Sequence, residues 1–125
     1  MQELKFYKCA HCGNFFLVLH DGGVNPVCCG EPMMEMKPGT TDAAQEKHVP
    51  ELTRNGNKLH VQVGSVKHPM EEDHWIVAIV AQQGDKIQVK ELKPGEEPVA
   101  DFEIADGPVV VYEYCNKHGV WKAEA

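Results

Sequence analysis

Cys9, Cys12, Cys28 and Cys29 all fall within the first 29 residues of a 125-residue chain, one pair spaced C-x-x-C and the other adjacent. The block that holds them, Met1 to about Lys37, carries too few apolar side chains to fold around a core of its own. It needs a staple. C-x-x-C puts two sulfurs on one tight turn, and the second pair completes a tetrahedral sulfur site suited to zinc or to a single iron. Metal binding would then supply the folding free energy. The chain's five cysteines are an odd number, and their spacing fits ligation in a reducing compartment better than disulfides in a secreted protein. Zinc ribbons separate both pairs by two residues, so the vicinal Cys28-Cys29 demands a distorted backbone, which Gly30 is placed to relieve. His11, inside the C-x-x-C, is a ligand by residue type only, because four thiolates already fill the tetrahedron.

Between the two pairs, Asn14 to His20 (NFFLVLH) reads as a short strand running into an Asp21-Gly22 turn. Pro38 to Glu46 (PGTTDAAQE) is small and polar with no sustained period, and reads as a linker. Beyond it, strand-like runs cover Lys58 to Val66, Trp75 to Ala81, Lys86 to Leu92, Val99 to Ile104 and Val109 to Tyr114. Turn signals break them at Asn55-Gly56, Gly84-Asp85, Pro94-Gly95 and Asp106-Gly107-Pro108. The pattern predicts an all-β chain: a metal-stapled module over 1–37, then an antiparallel sandwich or barrel over 38–125, with 38–46 as the linker. No segment offers an amphipathic helix or an internal repeat.

A net charge of -7 and the lack of any cluster of Lys and Arg argue against a nucleic-acid partner. No run of about 18 apolar residues exists, and MQELKFYKCAHC has no signal-peptide core, so no membrane partner is expected and a soluble, cytoplasmic protein is. An anionic substrate would be repelled by the global field. Its approach needs local positive charge within about one Debye length, roughly 8 Å at physiological salt, and Lys47 beside His48 is placed to supply it.

A second constellation lies at the expected strand ends: His48, His68, His74, Cys115 and His118, the last two forming a C-x-x-H turn. Each histidine alone reads as a solvated residue; together with the cysteine they make five donors for one metal. A structural zinc site closes with four, whereas a metal that prefers octahedral geometry would keep one position open. One thiolate among imidazoles points to a redox metal, iron above others, rather than to calcium or magnesium. His60, alternating with Leu59 and Val61, and His20, beside a turn, read as surface residues. The run Glu71-Glu72-Asp73 reads as a solvated loop face, with a surface calcium site as the alternative.

Glu46-Lys47-His48-Val49-Pro50, His68-Pro69-Met70 with His74-Trp75-Ile76, and Cys115-Asn116-Lys117-His118-Gly119-Val120-Trp121 together resemble the signature of superoxide reductases. The N-terminal cysteines are similar to those of desulforedoxin, so the whole chain resembles the desulfoferrodoxin family, its two-iron form. That resemblance implies an immunoglobulin-like sandwich, a homodimer, and one-electron reduction of superoxide to hydrogen peroxide without oxygen evolution, with electrons from a rubredoxin-like donor. It implies two mononuclear non-haem irons. One would be held by Cys9, Cys12, Cys28 and Cys29. The other would lie in the plane of His48, His68, His74 and His118 with Cys115 axial and the sixth position for superoxide. Glu46 would bind the ferric resting iron, and Lys47 would guide the anion and help protonate the product through water. The rival readings are a rubredoxin-type electron carrier with a second, non-catalytic metal site, and a structural protein holding two zinc ions. The two-histidine, one-carboxylate pattern of non-haem oxygenases is not matched.

Overall fold

Short strands joined at glycines dominate the described residues, 1–40 and 43–125 of a computed structural model. They fall into two compact units, Met1–Lys37 and Pro38–Ala125. Thr41 and Asp42, inside the expected linker, lie outside the described residues.

In the first unit, β1 (Lys5–Lys8) pairs with both β2 (Phe15–Val18) and β5 (Met34–Glu35), and β3 (Val27–Cys28) pairs with β4 (Glu31–Pro32). All three pairings are antiparallel in a register of two to four residues, which leaves little sheet to hold the unit. The strand expected over Asn14 to His20 shortens to the four residues of β2. Apolar packing is equally thin. Tyr7, Cys9 and Met33 form the buried cluster, with Val18 and Cys28 packed against it, and Phe6 stacks on Phe15 at 5.4 Å. Such a core is small against the backbone entropy of ordering the segment, which leaves room for a shared ligand on its cysteines to contribute.

The second unit opens with one helical turn, α1 (Gln45–His48), and continues through seven strands. These are β6 (Pro50–Asn55), β7 (Lys58–Val63), β8 (Ile76–Gln83), β9 (Lys86–Glu91), β10 (Val99–Glu103), β11 (Val110–Cys115) and β12 (Gly119–Glu124). Two antiparallel sheets result, ordered β10-β7-β6 and β12-β11-β8-β9. The chain's crossing between sheets gives an immunoglobulin-like sandwich. Alternation explains the core: on β7, Leu59, Val61 and Val63 are fully buried while Lys58 and His60 face water. They meet Ile79, Ala81, Phe102, Val109 and Val111 in one cluster. The central strand β11 is buried at every position, and its last residue, Cys115, ends in that cluster.

Two hairpins turn on the first loop residue. Gly56 and Gly84 both have φ of 61°, with Asn57 and Asp85 following, the glycine-first pattern of a two-residue type II′ turn. Three elements differ from the sequence expectation. Helix α1 carries too few residues to show a helical period and has no side-chain cap. Strand β6 has one apolar residue, Leu52, on its inner side and begins with Pro50, as edge strands tolerate. The run expected to reach Val66 stops at Val63, because Gly64 adopts φ of 81° and turns the chain away.

Candidate metal centres

The turn between β11 and β12 delivers two candidate ligands at once. Cys115 closes β11 at a register shift, fully buried, and Gly119 at φ of 78° swings the chain back so that His118 stands in the turn beside it. His48 ends α1. His68 and His74 come from the loop between β7 and β8, where Glu71 and His74 exchange backbone hydrogen bonds. The structure thus brings together all five side chains of this sequence-derived set, with ligand atoms within 4.8 Å of one another.

The four imidazoles form a closed ring in the order 48, 68, 74, 118. Each stands edge-on to the next, with interplanar angles of 74°, 84°, 81° and 88° and centroids 4.7–5.0 Å apart. His48 Nδ1 donates to the Ala44 carbonyl and His68 Nδ1 donates to the Pro69 carbonyl, both at 2.7 Å. Those bonds fix the tautomers and leave each Nε2 as a lone pair. The two Nε2 atoms face each other at 3.1 Å, and His48 Nε2 lies 3.0 Å from His118 Nδ1. Two acceptors at that distance repel unless a cation lies between them. Nitrogens 3.0–3.1 Å apart also fit two ligands at right angles, each about 2.1 Å from a shared ion. His74 Nε2 is buried with no hydrogen-bond partner among the described residues.

Burial, the largest influence on each, lowers the pKa of His48, His68 and His74, and their mutual repulsion adds to it. His68 falls to about 4. These three rings therefore favour the neutral form that can ligate. Trp121 stacks on His48 at 5.2 Å, and its indole N–H donates to the His118 carbonyl at 2.9 Å, so one side chain steadies two of the candidate ligands. Gly64 fills a comparable role by having no side chain. A Cβ there would sit 2.7 Å from the carbonyl oxygens of both Glu46 and Lys47, and would also strike that of Val66. Sequence reasoning assigned no positioning role to either residue; the available signal was Gly64 interrupting an otherwise regular alternation.

Glu46 and Lys47 are exposed on α1 and outside the converging set, although the charge of Lys47 is felt at His48. His60 is exposed and pairs with Asp101 at 2.8 Å. The acidic run Glu71 to Asp73 belongs to neither ligand group among the described residues, and Asp73 lies 3.8 Å from Lys117. Glu113, on β11, is buried with neither carboxylate oxygen hydrogen-bonded among the described residues. Burial pushes its pKa well up.

The second group is Cys9, Cys12, Cys28 and Cys29. Cys12 and Cys28 sulfurs are 3.5 Å apart and those of Cys28 and Cys29 are 4.0 Å apart, bracketing the edge of about 3.8 Å expected for sulfurs 2.3 Å from one ion. Cys9 is buried, while Cys12 and Cys29 are exposed. Backbone N–H groups of Cys12 and His11 donate to Cys9 Sγ and lower its pKa to about 6, whereas neighbouring thiols push Cys29 up to about 12. The backbone distortion falls on a ligand itself as well as on Gly30. Among the described residues Cys29 is the non-glycine residue with positive φ, at 53°, and Gly30 follows at 76°. His11 is not drawn in; its ring lies 2.8 Å from Glu31.

Comparison with known proteins places the chain among relatives. The desulfoferrodoxin family profile matches residues 40–124, and the profile described as the desulfoferrodoxin N-terminal domain matches residues 1–36. The chain is 54% identical to the desulfoferrodoxin of Nitratidesulfovibrio vulgaris and 48% identical to the desulfoferrodoxin homolog of Archaeoglobus fulgidus, each over 98% of both chains. Its structure is similar to the superoxide reductase from Treponema pallidum, with TM-score 0.78 and 33% identity over 98% of this chain and 99% of that one. A superoxide reductase from Giardia intestinalis matches with TM-score 0.57 and 33% identity, over 64% of this chain and 97% of its own. With both profiles and near-full-length relatives spanning the chain, it belongs to the desulfoferrodoxin family.

Proposed function

We propose that this chain reduces superoxide to hydrogen peroxide at an iron ion held by His48, His68, His74, His118 and Cys115. The observation that carries the reading is the ring of four edge-on imidazoles with opposed lone pairs and a thiol as fifth donor, one ligand more than a closed structural site uses. Structural neighbours named as superoxide reductases support it. When bound, ferrous iron in such a set supplies one electron and an open position for the substrate. The remaining requirements, attraction of an anion and delivery of two protons, fall to the chain.

Four neutral imidazoles and one thiolate leave the centre with a net charge of about +1, so the site attracts an anion that the protein's net -7 repels. Lys47, exposed one residue before a ligand, extends that positive field to the surface and orders water that can pass protons inward. Glu46, exposed beside it, would offer its carboxylate to the oxidised ion. Cys9, Cys12, Cys28 and Cys29 would hold a second iron. The donor is rubredoxin-like, the chain is a homodimer, and a reducing cytoplasm keeps its thiols unpaired. Mixing the reduced protein with superoxide tests the reading. Stoichiometric peroxide without oxygen evolution is expected, whereas inertness would leave an electron carrier, and a colourless protein holding only zinc would end the redox reading.

A further inference from the structure

His74 differs from the other ring ligands in what holds it. His48 and His68 are fixed through their own Nδ1–H bonds, and His118 sits in a hairpin turn. His74 lies on the loop between β7 and β8, and both flanking residues are bound by one side chain. Asn116 Oδ1 accepts the Trp75 N–H at 2.9 Å, and Asn116 Nδ2 donates to the Asp73 carbonyl at 2.9 Å. The main-chain N–H of Asn116 adds a third bond, to the Trp75 carbonyl at 3.3 Å. The amide orientation is set by its partners, since exchanging oxygen and nitrogen would oppose donor to donor and acceptor to acceptor. Lys117 reaches the same loop, but its contact with Asp73 is 3.8 Å long between exposed groups and contributes little.

We infer that Asn116 is a positioning residue that sets His74 against the Cys115-His118 turn and so closes the ring of ligands. The inference rests on the proposed five-ligand metal site. Asn116 directly follows Cys115, so the clamp is covalently joined to the thiolate ligand, and displacement of the loop from the turn must break it. With the clamp cut, the turn closed by the Glu71–His74 bonds remains intact as a unit but drifts relative to the other donors. A loose ligand lowers metal affinity, and loss of an outer partner typically costs 10–100-fold.

Cobalt(II) titration of the full chain against a competing chelator, followed by absorption, tests this, because the four-cysteine site is an internal control. Asn116→Ala should weaken the histidine-rich site by about 10–100-fold and shift its ligand-field bands, with the sulfur-site bands and affinity unchanged. Asn116→Asp, which keeps the acceptor for Trp75 but sets an oxygen against the Asp73 carbonyl, should weaken the same site as well. Parent-like affinity and bands in both variants would overturn the inference, as would equal losses at both sites, which mark general unfolding. Peroxide yield from the unaltered iron-loaded protein judges the superoxide reading separately.

Discussion

Replacing Gly64 with alanine is the sharpest test of how the chain holds its first ligand segment. Two costs add at this position. A left-handed φ of 81° costs an L-residue about 1–2 kcal/mol. The new methyl also lies 2.7 Å from the carbonyl oxygens of Glu46 and Lys47. Carbon–oxygen contacts ordinarily begin near 3.3 Å, so both carbonyls must retreat by about 0.6 Å. The obstacle is backbone rather than a flexible side-chain tip, which puts overpacking at about 1–3 kcal/mol. The Val66 N–H to Glu46 carbonyl bond, 3.0 Å long in the same patch, weakens as well. Gly56→Ala provides the reference, because Gly56 has φ of 61° but nothing within 4 Å of the built Cβ. Gly64→Ala should therefore lose about 2–3 kcal/mol more than Gly56→Ala. At about 4–8 °C per kcal/mol for a domain of this size, that is a further drop of roughly 10–20 °C in Tm. Thermal unfolding of the metal-free variants, followed by far-ultraviolet dichroism, measures it without a ligand contribution. Equal Tm losses in the two variants would refute the close-approach argument.

Three other outcomes follow from the same structure. Lys47→Ala should slow superoxide capture about twofold at low salt, since a unit charge acting over about 8 Å through water is worth roughly 0.5 kcal/mol; an unchanged second-order rate in pulse radiolysis would remove the steering role. In the metal-free protein, the lowered pKa values of His48, His68 and His74 make the folded state bind protons less readily than the unfolded chain. Stability from these groups is then complete above about pH 6.5 and declines as pH falls toward 4, by roughly 1–3 kcal/mol, and a urea midpoint that stays flat across that window would contradict the assignment. Chelation should abolish slow amide exchange in β1 while β7 and β11 stay protected, given the small cluster around Tyr7, Cys9 and Met33; protection surviving in β1 would show that the first unit does not depend on metal.

Which parts were legible in the sequence follows from the range of the forces involved. The alternation of Leu59, Val61 and Val63 announced β7 because one side of a strand must be dry. The C-x-x-C and C-x-x-H spacings announced ligand turns because two donors on one turn meet one ion. Strand β6 and α1 left no such mark, because an edge strand with one inward apolar residue and a single helical turn are held by contacts that lie elsewhere in sequence. The same limit hid the cyclic order of the imidazoles and the clamp of Asn116 on the residues around His74. These depend on which backbone atoms a fold brings within 3 Å, not on residue type. At Cys29 the sequence pointed to Gly30 for relief, and the chain bends at both residues because adjacent cysteines cannot both face one centre on an ordinary extended backbone.

The opposed nitrogens of His48 and His118 belong to residues 70 positions apart, and an ion between them would close a covalent loop almost as long as the second unit. In chain-entropy terms such a closure resembles a long-range disulfide, for which the constraint on the unfolded chain is worth about 4 kcal/mol. The centre would act as a clasp joining the start of the sandwich to its last hairpin. A molecule that lost this ion would lose its reactive centre and its longest-range cross-link together, so inactive copies would also be the ones most readily opened and cleared by proteolysis.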